Sequence, residues 1–127
     1  MNLPIRFYEK KHFSIIINNV KDHKIEGCFD IDYWGISQRF SALAYKPKPN
    51  LLHFTFSIDW TFAPENSFTV FSAFLKTKAD CSLLYLNWLF VDKKQSYLGA
   101  IRLLENFPEE IEPKQYLPFP PFDYILN

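Results

Sequence analysis

Two stretches of the chain carry large aromatic side chains at a spacing of two residues, and the first also carries hydroxyl groups at that spacing. This alternation places all of them on one face of paired β-strands. The residues concerned are Trp60, Phe62, Ser67, Thr69, Phe71, Trp88 and Phe90. Aromatic walls with one or two hydroxyls at the rim could hold a flat, mostly apolar small molecule out of water. The same residues are equally typical of a packed β-barrel core, so both interpretations remain open.

Chemistry of other kinds is not indicated by the sequence. There is no nucleophile motif, metal-ligand spacing or phosphate-binding loop, so we expect no enzyme activity, no metal site and no cofactor. Asp30 and Asp32 share a strand face, but we expect them to be solvated rather than to act as a glycosidase pair. The three histidines have no acid, cysteine or serine arrangement that would make a catalytic triad or a zinc site.

Period-two alternation runs through most of the chain and predicts consecutive strands joined by short turns. The predicted strands are 5–7, 12–18, 24–33, 38–45, 52–62, 68–75, 81–91 and 100–107. The last segment also suits a short helix. Eight such strands predict an all-β fold, an eight-stranded antiparallel up-and-down β-barrel, with room inside for side chains or one small ligand.

The end of the chain has a different composition from the rest. Residues 108–127 contain five prolines among aromatic residues, and proline prevents regular strand pairing. We therefore predict a barrel domain over 1–107 and an extended Pro/aromatic C-terminal arm over 108–127. Free aromatic residues would be costly in water, so we expect the arm to dock on its own barrel or on a neighbour.

Overall composition limits the possible partners and compartment. The formal net charge of the 127 residues is zero, which argues against a nucleic-acid partner bound by phosphate neutralisation. No stretch reaches the roughly 18 apolar residues of a membrane span, and no leader is recognisable at the start, so we expect a cytoplasmic protein. The two cysteines, Cys28 and Cys81, fall on strands far apart in the barrel, so we expect them to be unpaired.

The outward positions of the sixth and seventh predicted strands are unusually apolar. They include Phe68, Val70, Leu83, Tyr85 and Leu89. Such a surface predicts cover by another chain, which would make the protein a homo-oligomer. Cover by the C-terminal arm of the same chain is the alternative.

Four motifs along the second half of the chain together resemble the avidin and streptavidin family of biotin-binding barrels. They are Trp60–Phe62, Ser67–Phe71, Trp88–Phe90, and Ala100–Arg102 followed by Asn106. The resemblance extends over about residues 5–107 and is most specific over 54–90. It implies a non-catalytic, oligomeric small-molecule binding protein whose ligand is biotin or a similar compound.

The resemblance also implies a role for individual residues. It assigns the wall around the ligand to Trp60, Phe71 and Trp88. Thr69 would bond the ligand's sulphur, Ser67 its carboxylate end, and Asn106 a ureido nitrogen. Phe62 and Phe90 complete the predicted aromatic box.

The first strands depart from the family pattern. Positions that carry the family's polar partners for the ureido group are occupied here by Phe7, Lys11, Phe29 and Ile31. Each missing partner of a buried polar group costs about 1–3 kcal/mol. The alternative function is therefore a protein-interaction module whose pocket is filled by side chains such as Phe7, Phe29 and Ile31.

Overall fold

The structure is a computed structural model that describes residues 3–9, 13–31, 35–60, 67–78, 81–91 and 96–105. It contains eight strands: β1 (Ile5–Glu9), β2 (Phe13–Lys21), β3 (Lys24–Ile31), β4 (Ile36–Lys48), β5 (Leu51–Trp60), β6 (Ser67–Lys76), β7 (Leu83–Val91) and β8 (Ser96–Leu104). Each strand is antiparallel to its neighbour, and the order around the closed barrel is the order along the chain. The predicted all-β, eight-stranded antiparallel up-and-down barrel is confirmed. The predicted arm over 108–127 lies outside the described residues.

Every strand differs from its predicted bounds by one to four residues at one or both ends, and two of these differences are informative. The eighth strand begins at Ser96, and residues 100–104 of the segment that also suited a helix belong to this strand. Strand β2 continues through a bulge to Lys21, where Asp22 and His23 form a two-residue turn. Both turn residues have positive φ, 50° and 68°, as hairpin turns that match the twist of the flanking strands require. Because neither residue is glycine, the residue types alone only weakly indicate this tight turn.

We refer to β1–β4 and to β5–β8 as the two sheets of the closed barrel, because pairing is denser within each set than at the β4–β5 junction. Pairing is extensive within β1–β4 and within β5–β8. Between the sheets, β4 pairs with β5 only near Ala44–Phe54 and at Lys48–Leu51, and β1 pairs with β8 at Tyr8–Leu104. Where β4 and β5 lack pairing, the rings of Phe40 and Phe56 stack 4.2 Å apart. Side-chain packing therefore joins the sheets where main-chain pairing is sparse.

Alternate residues of every strand point into the barrel and form one apolar core. Strand β6 shows the pattern most clearly, since Ser67, Thr69, Phe71, Ala73 and Leu75 are buried. The intervening positions of that strand are exposed or half-buried. This is the period of two that the sequence predicts.

An ion pair crosses the outside of β1, β2 and β3. Nη1 of Arg6 donates to Ser14 Oγ at 2.8 Å and to Asp30 Oδ2 at 3.0 Å. The Asp30 side chain is only 14% exposed, so the expectation that it is solvated was wrong. Alternation places Asp30 on the outer face, but only the strand register brings Arg6 and Ser14 beside it.

This outer ion pair is expected to contribute to stability. In a double-mutant cycle of Arg6→Ala and Asp30→Ala, we expect a coupling free energy of about 1 kcal/mol at low salt, because both groups are partly shielded from water. The cycle is measured by urea unfolding. The matched control is Lys24 with Glu26, a 3.4 Å pair whose side chains are 57% and 45% exposed. Equal coupling in the two cycles would contradict the prediction.

Candidate functional site

The predicted aromatic wall forms on three adjacent strands near one end of the barrel. Trp60, Phe71, Trp88 and Phe90 are all buried on the inner face, each at most 4% exposed. The register places Trp60 opposite Ser67, and Phe71 opposite Trp88. The structure thus brings six of the predicted site residues together. The other two, Phe62 and Asn106, lie outside the described residues.

The ring of Phe29 extends from β3 to the opposite side of the barrel interior. Its centroid is 5.6 Å from that of Phe71 and 5.8 Å from that of Trp60. Strand β3 is adjacent to neither β5 nor β6, so these contacts cross the lumen. Phe29 occupies a position where the family resemblance would place a polar group for the ligand. In this chain the space beside the aromatic wall contains a phenyl ring.

Further rings extend this contact along the interior. Phe13 stacks on Phe29 at 5.0 Å, and Phe56 stacks on Phe71 at 4.7 Å. Phe56 in turn stacks on Phe40. The result is a connected column of aromatic rings from one sheet to the other. Phe7 and Ile31, which the alternative function expected inside, are also fully buried.

The hydroxyl groups of the predicted site differ in their partners. Nε1 of Trp60 donates to Oγ1 of Thr69 at 2.7 Å, and Thr69 is completely buried. The hydroxyl that the resemblance assigns to a ligand therefore accepts a hydrogen bond from the wall itself. By contrast, Oγ of Ser67 is buried and has no hydrogen-bond partner among the described residues. A small polar molecule beside Ser67 would satisfy this group.

A glycine that the sequence analysis did not single out positions one tryptophan of the wall. Gly99 lies opposite Trp88 in the β7–β8 register. A Cβ at Gly99 would overlap carbon atoms of the Trp88 indole, so the indole lies directly against the β8 backbone. A glycine inside a strand often marks such a close approach, but Gly99 lies just before the predicted eighth strand, so the predicted bounds concealed this signal.

The outer face of β6, β7 and β8 carries large apolar side chains. Phe68, Val70 and Tyr85 are each 38% exposed, and Leu98 is 81% exposed. Two neighbouring rows of cross-strand partners differ sharply in the size of their side chains. The apolar row is Val70, Leu89 and Leu98, and the small-residue row is Ser72, Asn87 and Ala100. Both rows line a shallow groove of about 610 Å³.

Comparisons of the chain with protein-family models, with curated proteins and with solved structures each found no match. Within the described ranges, no helix is long and apolar enough to cross a membrane. The same residues contain no group of three or more His, Cys, Asp or Glu side chains that could hold a metal ion. Cys28 and Cys81 are both free thiols, which confirms the prediction that they are unpaired.

The Trp60–Thr69 hydrogen bond yields a direct prediction for stability. Thr69→Val keeps the shape of the side chain and removes the acceptor of a buried indole N–H, so we expect a loss of about 1–3 kcal/mol. Urea unfolding followed by tryptophan fluorescence measures it. Thr55→Val, on the exposed face of β5, is the control and should change stability by less than about 0.5 kcal/mol. Equal effects of the two substitutions would contradict the role of this bond.

Proposed function

We propose that the chain is a non-catalytic protein-interaction module that self-associates through the outer face of β6–β8. The observation that carries this proposal is the contact of Phe29 with Phe71 and Trp60 across the lumen. Because these rings occupy the interior beside the wall, they compete with any ligand there. The function is therefore assigned to the outside of the barrel.

The outer face has the properties of a protein-binding surface. Interface cores are depleted in charged residues and enriched in aromatic ones. Val70 pairs with Leu89 on this face, and Phe68 and Tyr85 point outward from the same two strands. These four residues are among the oligomer contacts that the sequence predicts, and the fifth, Leu83, is half-buried at the start of β7. We also propose that the protein is an avidin-like barrel, that it is cytoplasmic and that it has no cofactor.

Self-association through this face predicts a measurable change in mass. The chain should sediment above its monomer mass of 15.1 kDa, and Val70→Lys with Leu89→Lys should return it to the monomer, because two charges would be buried without partners. Both substitutions are on the outer face, so the thermal midpoint should change little.

The matched control for this experiment is Leu43→Lys. Leu43 is 82% exposed on β4, away from β6–β8, and the substitution should leave the mass unchanged. A wild-type chain that sediments as a 15.1 kDa monomer at every concentration would contradict the proposed function.

A second candidate function is the binding of a small molecule at the Ser67 end of the barrel. The specific observation in its favour is the buried Ser67 hydroxyl, which lacks a partner in the described part of the chain. Trp60 lies directly opposite on β5 and would provide an apolar wall. Biotin is the first compound to test because of the sequence resemblance.

Calorimetric titration with biotin separates the two candidate functions. We expect no saturable heat at high micromolar protein, because aromatic rings already contact one another across the interior and the ureido partners are replaced by apolar groups. Ser67→Ala and Trp60→Ala are the controls. A saturable heat that both substitutions weaken would establish the ligand-binding function instead.

A further inference from the structure

We propose that the end of the barrel opposite Ser67 binds a small organic anion that carries one short apolar group. The site is a cavity of about 150 Å³. It lies where β2, β4 and β6 end and β5 begins, whereas Ser67 and Trp60 lie at the other end of β6 and β5. Binding at this end is therefore independent of both candidate functions described above.

Part of the cavity lining belongs to the apolar core. Leu52 and Leu75 are buried core residues of β5 and β6, and Val20 packs against the same core from β2. Strand β2 is adjacent to neither β5 nor β6, so the cavity crosses the mouth of the barrel and is not a groove on its outer wall. A cavity of about this size with aliphatic lining can hold a group as large as a benzene ring.

One side of the cavity is held by hydrogen bonds between two turns. The backbone N–H of Thr77 donates to the carbonyl oxygen of Asn50 at 3.0 Å, and the Thr77 hydroxyl donates to the same oxygen at 3.4 Å. Both residues line the cavity. Because these bonds connect the turn after β6 to the turn between β4 and β5, this side of the cavity is already formed without a ligand.

Lysine residues surround the cavity. Within two residues of its lining, the chain has five exposed lysines and one carboxylate, that of Asp22. The lysines are Lys21, Lys46, Lys48, Lys76 and Lys78. In the described part of the chain, none of these lysines forms an ion pair. The surroundings of the cavity therefore have an excess of four positive charges, although the formal net charge of the whole chain is zero.

Other charged residues near this end do not cancel the excess. Glu26 pairs with Lys24 at 3.4 Å. The Glu105 carboxylate accepts a hydrogen bond from the backbone N–H of Ser82 at 2.8 Å, and Arg102 on β8 is opposite in charge to it. A concave site whose surroundings carry charge of one sign concentrates ions of the opposite sign. The charge pattern thus favours an anionic ligand.

An organic anion with a ring-sized apolar group matches both features of the site. Its apolar group would cover Leu52 and Leu75, and its carboxylate or phosphate would accept a charge-assisted hydrogen bond from the ammonium group of Lys46, which lines the cavity. An inorganic anion would use the lysines alone, and a neutral ring would use only the apolar lining. These differences define the compounds for the test.

Titration of the full chain with phenyl phosphate, followed by the amide chemical shifts, tests the site. We expect saturable shifts at Val20, Asn50 and Thr77, which line the cavity, and no shift at Ser67. Inorganic phosphate and benzyl alcohol should each bind about tenfold more weakly or less, because each lacks one of the two groups that the site recognises.

Two substitutions separate the contributions of charge and of shape. Lys46→Gln removes the charge that lines the cavity and should weaken phenyl phosphate binding roughly three- to tenfold at low salt. Val20→Phe fills the cavity and should weaken it by about tenfold or more. Lys24→Gln is the matched control, because Lys24 does not line the cavity and is paired with Glu26. Its effect should be less than about twofold, and thermal unfolding verifies that each variant is folded.

Each outcome decides the assignment of the site. Shifts at the cavity that favour phenyl phosphate and are reduced by Lys46→Gln and Val20→Phe support it. Equal binding of phenyl phosphate and inorganic phosphate would show that the lysines attract counterions only, and would overturn it. Equal effects of Lys46→Gln and Lys24→Gln, or shifts confined to the Ser67 end, would also overturn it. None of these outcomes bears on the proposed self-association, which is measured by sedimentation.

Discussion

The contact of Phe29 with Phe71 and Trp60 across the lumen is the interaction on which the rest of the structure depends. Main-chain pairing between the two sheets is sparse where β4 meets β5. Apolar side chains between the sheets therefore provide much of the contact at that junction. Full burial of a large apolar side chain contributes about 1.5–3 kcal/mol, and a ring pair adds about 0.5–1.5 kcal/mol.

A packed interior has a consequence for where binding takes place. The Trp60–Thr69 hydrogen bond pairs a donor and an acceptor within the wall. This pair therefore has fewer hydrogen-bonding groups available for a ligand than a wall with open polar groups would have. The largest exposed apolar side chains of β6–β8 are on the other side of the same strands. The alternation that fills the core thus also determines the composition of the outer face.

The order of strands and the side on which each residue lies could be predicted from the sequence, because alternation with a period of two carries that information. The wall of Trp60, Phe71 and Trp88 follows from it. Neighbours across strands could not be predicted, since register depends on turn lengths and bulges such as the one after Ile17. The ion pair of Arg6 with Asp30 and the contact of Phe29 with Phe71 on β6 both depend on register. They could therefore not be predicted from the sequence.

The junction between β4 and β5 gives the barrel a place where it opens at low cost. Within these two strands, no register pair joins Ile36–Leu43 of β4 to β5. Separation there breaks fewer main-chain hydrogen bonds than separation of β5 from β6, which pair along their whole length. Local opening at such a junction requires much less free energy than global unfolding. We therefore expect amide hydrogens of β4 that face β5 to exchange with solvent sooner than those of β6.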